Sequence, residues 1–392
     1  MPVIVVVKSG PLLEQWRRFA NICNLSEGRF HQGLQELKER VRRIEHHSAV
    51  LRQITQWIEK WQFAVKQRAY RRVLSKIRPG VVVNSECARN RLVDSCGTGD
   101  ALLVQHLTQP ATSLYRMKDE AMEWLRDVPD AYIAEGVGVL RVATDFLGVD
   151  SNRIYLNCVG VDRERVIEVP GNETIDVDRM IGKAEFVVMG CASLIYTKGV
   201  DLWVRAAIRV ISECSDIKPL FVWLGGREKD FGRYYGSTIR RMIHESGLEQ
   251  YFRFVGHVED VFCWLERADI FVQPSRDDAY PHAIMEAMLL GKPCVAFPVG
   301  IGLEEYAVGA IRVVREISDK ALANEILDLI DSPEARTEIG GRARQLMEGR
   351  FEVRRTVEEY WHQLSEIRLQ GRATMVTNAP ETIDEQIRLR LG

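Results

Sequence analysis

The chain has 392 residues, 46% of them apolar, and a formal net charge of -2. That length exceeds what one hydrophobic core usually serves, so two domains are expected, and the near-neutral charge gives no case for nucleic acid as a partner. The eight cysteines are scattered with no C-x-x-C pair, which argues against a disulfide framework or a zinc site and for reduced thiols in a cytoplasmic protein.

The opening "MPVIVVVKSG" is too short and lacks the basic lead of a signal peptide; Val3 to Val7 reads instead as a strand buried on both faces. No run of about 18 apolar residues follows, so no membrane span is expected. Leu34, Leu37, Val41, Ile44, Leu51, Ile54, Ile58, Trp61 and Val65 recur at three- and four-residue steps and predict a helical stripe. Arginines and lysines crowd around it, so region 38–76 is basic. It reads either as a solvated helix face or as peripheral attachment to the anionic inner face of a membrane. Trp57 and Trp61 read as core rather than as platforms for a sugar. "DSCGTGD", Asp94 to Asp100, holds glycines without phosphate-loop spacing and reads as a turn.

Short apolar strands then alternate with helical patterns: "GVVVNS" (80–85), "ALLVQH" (101–106), "AYIAEG" (131–136) and "IYLNCVGVD" (154–162), with a helix across "GVGVLRVATDFLGVD" stopped by Gly148. After Pro170-Gly171-Asn172 the alternation restarts. Strands "EFVVMGCAS", "PLFVWLGG", "FRFVGH", "DIFVQPS" and "KPCVAFPVG" are separated by helices that include "GVDLWVRAAIRVISEC", "VEDVFCWLERA" and "HAIMEAMLL". Five strands with right-handed crossovers predict one Rossmann-like unit, and the chain as a whole predicts an α/β protein of two parallel-sheet domains. Helices are expected near Lys320 to Ser332 and Val353 to Gln370.

In "PSRDDAYPHAIMEAMLLGKPCVAF", Pro274 to Phe297, a strand end meets a loop and then a helix. Pro281 fits the first helical turn and Gly291 the stop. Ligands of open parallel sheets sit at strand carboxyl ends, against helix amino ends whose free N–H groups suit phosphate. Asp278 and Glu286 stand eight positions apart across that mouth. Two carboxylates so placed suit a sugar's hydroxyls; the same spacing also suits an acidic loop followed by a solvated helix glutamate.

This block resembles the Glu-x7-Glu segment of retaining glycosyltransferases with the two-Rossmann GT-B fold, the group 1 or family 4 class, with Asp278 in place of the first Glu. "GCASLIYTKGVDLWVRAA" resembles the family's "GRL-x-x-x-KG-x-D" stretch, "FVGHVED" the loop that flanks the base, and "FPVGIGLEEY" the turn after the last strand. "IYLNCVGVD" resembles the close of the first domain. The resemblance implies that Asp278 contacts the donor sugar, that Glu286 holds the nucleotide ribose and that Lys198 neutralises the diphosphate. The partner Arg falls on Ser193. The base would lie by His257 and Val258, and the amides around Ala279 and Tyr280 would face the leaving diphosphate. "ALLVQHLTQP" resembles a strand end whose histidine lies beside the sugar, which gives His106; read by itself, it is a histidine satisfied at a strand end.

The boundaries implied are 1–168 for a reduced amino-terminal acceptor domain lacking the usual first strand, 169–350 for the donor domain, and 351–392 for a crossing helix and polar tail. The activity implied is hexosyl transfer with retention, from a UDP- or GDP-sugar to a saccharide or lipid-linked acceptor, with no cofactor and no metal, in bacterial surface polysaccharide or lipopolysaccharide biosynthesis. The alternatives are a noncatalytic sugar-binding or scaffold subunit and another enzyme on the same fold, such as an epimerase or phosphorylase.

Overall fold

The computed structural model describes residues 3–6, 21–24, 60, 63–64, 66–72, 74–76, 78–85, 93, 97–108, 111–158, 160–162, 177–214, 216–227, 230, 234–298 and 309–374. Trp57, Trp61, most of the basic 38–76 stretch and the 299–306 turn lie outside them. Within 66–72, Arg68, Arg71 and Arg72 are exposed around the buried Tyr70.

Strands β1 (Val3–Val6) and β2 (Asn21–Asn24) pair in parallel. The polar-ended β2, "NICN", is a strand that the sequence reading passed over. A four-stranded parallel sheet follows in chain order: β3 (Val81–Asn84), β4 (Leu102–Leu107), β5 (Ala131–Ala134) and β6 (Ile154–Leu156). These are nearly continuous apolar runs, as a sheet covered on both faces requires. Helices α1 (Ala111–Tyr115), α2 (Asp119–Asp127) and α3 (Val137–Arg141) belong to this domain. One face buries Val82, Leu103, Tyr132 and Ala134 in a cluster with Leu114, Leu125 and Leu140 from those helices. Beyond α3 the chain widens into a π turn, Val142–Phe146, before Gly148.

The second sheet holds β7 (Val187–Cys191), β8 (Leu220–Leu224), β9 (Phe252–Gly256), β10 (Ile270–Gln273), β11 (Cys294–Ala296) and β12 (Arg312–Val313). Their order is β12-β11-β10-β7-β8-β9, all parallel. Five strands are predicted and six observed; β12 is two residues long, too short for a periodicity signal. The order reverses between β7 and β10, which is where an open α/β sheet leaves a crevice.

Helices α4 (Val200–Glu213), α5 (Tyr234–Ser246) and α8 (Asp319–Asp331) cover one face, through Trp203, Val210, Ile239 and Ile326. Helices α6 (Phe262–Leu265), α7 (His282–Leu289) and α9 (Pro333–Arg350) cover the other, through Trp264, Ile284 and Met347. Buried residues of α4 fall at Val200, Trp203, Val204, Ala206, Ala207, Val210 and Ile211, an amphipathic stripe. Helix α6 is shorter than predicted because the Asp260 carboxylate accepts the Phe262 amide at 2.9 Å and delays helix entry. The sequence reading missed α9, although "DSPEA" marks its start: Ser332 caps the Ala335 amide at 3.2 Å and Pro333 takes the first turn.

Helix α10 (Val353–Thr374) returns to the first sheet. Its Tyr360, Leu364 and Ile367 are buried against Leu102, Val104, Ala131 and Ile133, each side chain contributing roughly 1.5–3 kcal/mol. Polar ties reinforce the packing: the Gln363 amide donates to the Leu156 carbonyl at 2.9 Å, and Tyr155 Oη to Gln370 Oε1 at 3.0 Å.

Candidate active site

The loops after β7 and β10 flank the switch point and are stitched together. Gly199 makes this possible. Its φ is +67°, and a Cβ there would lie 1.8 Å from the Pro274 carbonyl oxygen, so only glycine lets the β7–α4 loop press onto the β10–α7 loop. The Arg276 amide then donates to the Thr197 carbonyl at 2.7 Å, and Arg276 Nη1 to the Tyr196 carbonyl at 2.8 Å.

That contact brings two of the predicted residues together. Lys198 Nζ donates to Asp278 Oδ2 at 2.5 Å, with 23% and 12% of the two side chains exposed. The same oxygen accepts from Gln273 Nε2 and Ser275 Oγ, both at 3.3 Å. The sequence reading assigns Lys198 to phosphate and Asp278 to sugar; here they hold each other. Glu286 lies on α7, half-buried. Its charge reaches the end of β7: burial first, then the Glu286 carboxylate, pushes the Cys191 thiol up to about 12. Pro281 is the residue before α7 rather than part of its first turn, with extended backbone at φ -79° and ψ 105°.

The remaining predicted residues are spread more widely. Ser193 is exposed just beyond β7. His257 is exposed and Val258 half-buried beyond β9, two strands from β7. Tyr280 is buried in the second-domain core, its ring 6.2 Å from that of His282. Ala279 is buried in the apolar cluster of the first domain.

His106, the last residue but one of β4, lies on the face covered by α10, its ring 5.4 Å from that of Tyr360. Only 7% of it is exposed, and its Nε2 has no hydrogen-bond partner among the described residues. Burial lowers its pKa to about 4, so the ring is neutral at pH 7. Two residues beyond its β5 neighbour Ile133 sits Glu135, 5% exposed, whose pKa burial raises to about 7. The Glu135 carboxylate also reaches Tyr360, whose phenol burial pushes upward.

The two groups load stability in opposite directions. For His106 the folded value lies below the ordinary 6.5, so its contribution is present above pH 6.5 and lost as pH falls toward 4. For Glu135 the folded value lies above the ordinary 4.5, so its contribution is present below pH 4.5 and lost as pH rises through 7. Each gap corresponds to about 3 kcal/mol. Urea unfolding should therefore show Glu135→Gln gaining stability from acid to neutral pH and His106→Asn losing it, with the unsubstituted protein flatter than both. Parallel slopes for the two variants would refute these opposed contributions.

Sequence reasoning missed the cation in the loop. Arg276 grips Asp201 with two bonds of 2.7 Å and stacks 4.1 Å over the Tyr196 ring. Against the upward push of its burial, hydrogen bonds from Arg276 and from Tyr235 hold Asp201 below the ordinary carboxylate range. The signal lay in "KGVD", whose Asp201 needs a cation once it is buried. Also missed was Asp277, 8% exposed, whose Oδ2 accepts the Thr112 amide at 2.8 Å and the Thr112 hydroxyl. Among the described residues no group of three or more His, Cys, Asp and Glu is placed to hold a metal ion, and no helix is long and apolar enough to cross a membrane.

Two parallel-sheet α/β domains whose carboxyl-end loops meet, tied by a helix that crosses back, define the GT-B fold. HepE of Anabaena, solved in complex with UDP, has the same fold: TM-score 0.71 at 17% identity, over 94% of this chain and 100% of HepE. Residues 185–332, the heart of the second domain, match the family model described as Glycosyl transferases group 1. A lipopolysaccharide core biosynthesis mannosyltransferase, LpcC of Rhizobium leguminosarum bv. viciae, is 26% identical over 170 residues, 43% of this chain and 47% of LpcC. A GDP-mannose-dependent monoacylated alpha-(1-6)-phosphatidylinositol monomannoside mannosyltransferase of Corynebacterium glutamicum is 28% identical over 204 residues, 49% of this chain and 51% of that protein. The chain thus spans about half the length of these curated relatives.

Proposed function

We propose that the protein is a retaining glycosyltransferase that moves a hexose from a nucleotide-diphosphate sugar to a saccharide or lipid-linked acceptor in bacterial envelope glycan synthesis. The observation that carries this reading is the Lys198–Asp278 pair at the carboxyl ends of β7 and β10, with Glu286 on the helix that follows. An arriving diphosphate competes for the Lys198 ammonium. Lys198 then turns from Asp278 to phosphate oxygens, and the freed carboxylate accepts a sugar hydroxyl. Glu286 accepts the ribose hydroxyls. As the glycosidic bond breaks, negative charge builds on the leaving diphosphate, and Lys198 and the amides near Tyr280 stabilise it. No protein nucleophile is needed if the leaving phosphate takes the acceptor's proton on the same face of the sugar. His106, neutral at pH 7, serves by hydrogen bonding rather than by charge.

The mannosyltransferase relatives and the UDP complex of HepE support a nucleotide-sugar donor. With Ser193 at the usual Arg position, Lys198 carries the phosphate charge without that second cation. The basic 38–76 region would hold the protein at an anionic membrane surface, close to a lipid-linked acceptor. Calorimetry against UDP-, GDP- and ADP-sugars, with and without anionic vesicles, tests the reading, and proton NMR of the product gives the anomeric outcome. Absence of binding to every donor in both conditions would remove it.

A further inference from the structure

The loop that carries Asp278 is fastened to both domains. On its own side, the amides of Arg276 and Asp277 donate to the Thr197 carbonyl at 2.7 and 3.3 Å. On the other side, the Asp277 carboxylate takes both the amide and the hydroxyl of Thr112, which follows β4 in the first domain. Two positions further on, Ala279 is 6% exposed and sits in the first domain's apolar cluster with Leu114 and Leu140. The loop therefore alternates: residues 277 and 279 face the first domain, while the carboxylate between them holds Lys198.

We propose that Asp277 is a positioning residue for the transfer reaction: with Thr112 it makes the placement of Asp278 and Lys198 depend on the first domain being seated against the second. The inference rests on the glycosyltransferase reading only for its effect on transfer; the coupling itself is a property of this chain. The chemistry is specific. A buried carboxylate needs donors, and here it draws them from the opposite domain rather than from a cation in its own. Parting the domains would strip both bonds at once and leave Asp277 to find water. The loop would then lose its fixed course, and Asp278 its line to Lys198.

The test uses the full chain and three variants: Asp277→Asn, Thr112→Val and Thr112→Ser, the last retaining the hydroxyl. The first readout needs no ligand. Acetylation of Lys198 by acetic anhydride, followed by mass spectrometry, should run about 5-fold faster in Asp277→Asn and Thr112→Val and near the unsubstituted rate in Thr112→Ser, as loss of hydrogen bonds to a charged group implies. Small-angle scattering should show a larger radius of gyration in the first two. The second readout is kinetic: kcat should fall about 10-fold in those two with less change in donor KM, since the bonds order the loop rather than touch the donor. Unchanged Lys198 acetylation and scattering in both Asp277→Asn and Thr112→Val overturn the proposal, as does a Thr112→Ser variant that behaves like Thr112→Val. If the unsubstituted protein binds no nucleotide sugar, the functional reading falls, and acetylation and scattering alone still decide the coupling.

Discussion

Replacing Lys198 by Met is expected to lower kcat by about 100- to 1,000-fold, the cost of removing one preorganised group from a developing anion. Steady-state kinetics with the preferred donor gives the number. The reasoning is electrostatic. Lys198 is half-buried where β7 and β10 part, and Asp278 fixes its ammonium from below. Ser193 offers no second charge, so under the proposed function a leaving diphosphate would meet one fixed cation from this loop. Arg276 cannot replace it, since both arms of its guanidinium hold Asp201. Stability should change less than rate. The pair is largely buried, so losing the ammonium costs about 1–3 kcal/mol, held to that range because Asp278 keeps its hydrogen bonds from Gln273 and Ser275. A Lys198→Met enzyme within threefold of the original kcat would show that charge on the leaving group is met elsewhere.

Gly199→Ala should cost about 2–4 kcal/mol and most of the activity with it. Two effects add: the left-handed backbone costs an alanine roughly 1 kcal/mol, and forced displacement of packed backbone costs a further 1–3 or more. The displaced atom is the Pro274 carbonyl oxygen, 1.8 Å from the new methyl, so the two loops must separate and Lys198 must leave Asp278. Gly247, which follows α5, supplies the control. Its φ is +66°, yet a Cβ there would have nothing within 4 Å. Gly247→Ala should therefore show the backbone term alone, about 1 kcal/mol with activity intact. Thermal unfolding and kinetics of the two variants side by side make the comparison. Equal losses would mean that backbone strain, not the close approach of the loops, is what Gly199 relieves.

The strands β3 to β11 were legible because each is an apolar run long enough to stand out between turn residues, and α4 because its buried positions repeat every three or four residues. Asp278 and Glu286 were legible as candidates because their spacing to a strand end is local, and Lys198 because its stretch resembles a glycosyltransferase motif. What escaped were short or polar elements: β2, with asparagine at both ends, and β12, of two residues. Helix α9 escaped because its weakly patterned face hid behind a clear capping signal at Ser332 and Pro333.

The chain order of apolar runs, glycines and prolines thus determined two parallel-sheet domains and which loops face the crevice, because those choices depend on neighbours within a few residues. Only the tertiary structure decided that Lys198 pairs with Asp278, that Arg276 serves Asp201, that Asp277 reaches Thr112 and that His106 lies neutral against Tyr360. Those partners are 75 or more residues apart along the chain, and hydrogen bonds at 2.5–3 Å are set by how packed elements close on one another, which no local pattern encodes.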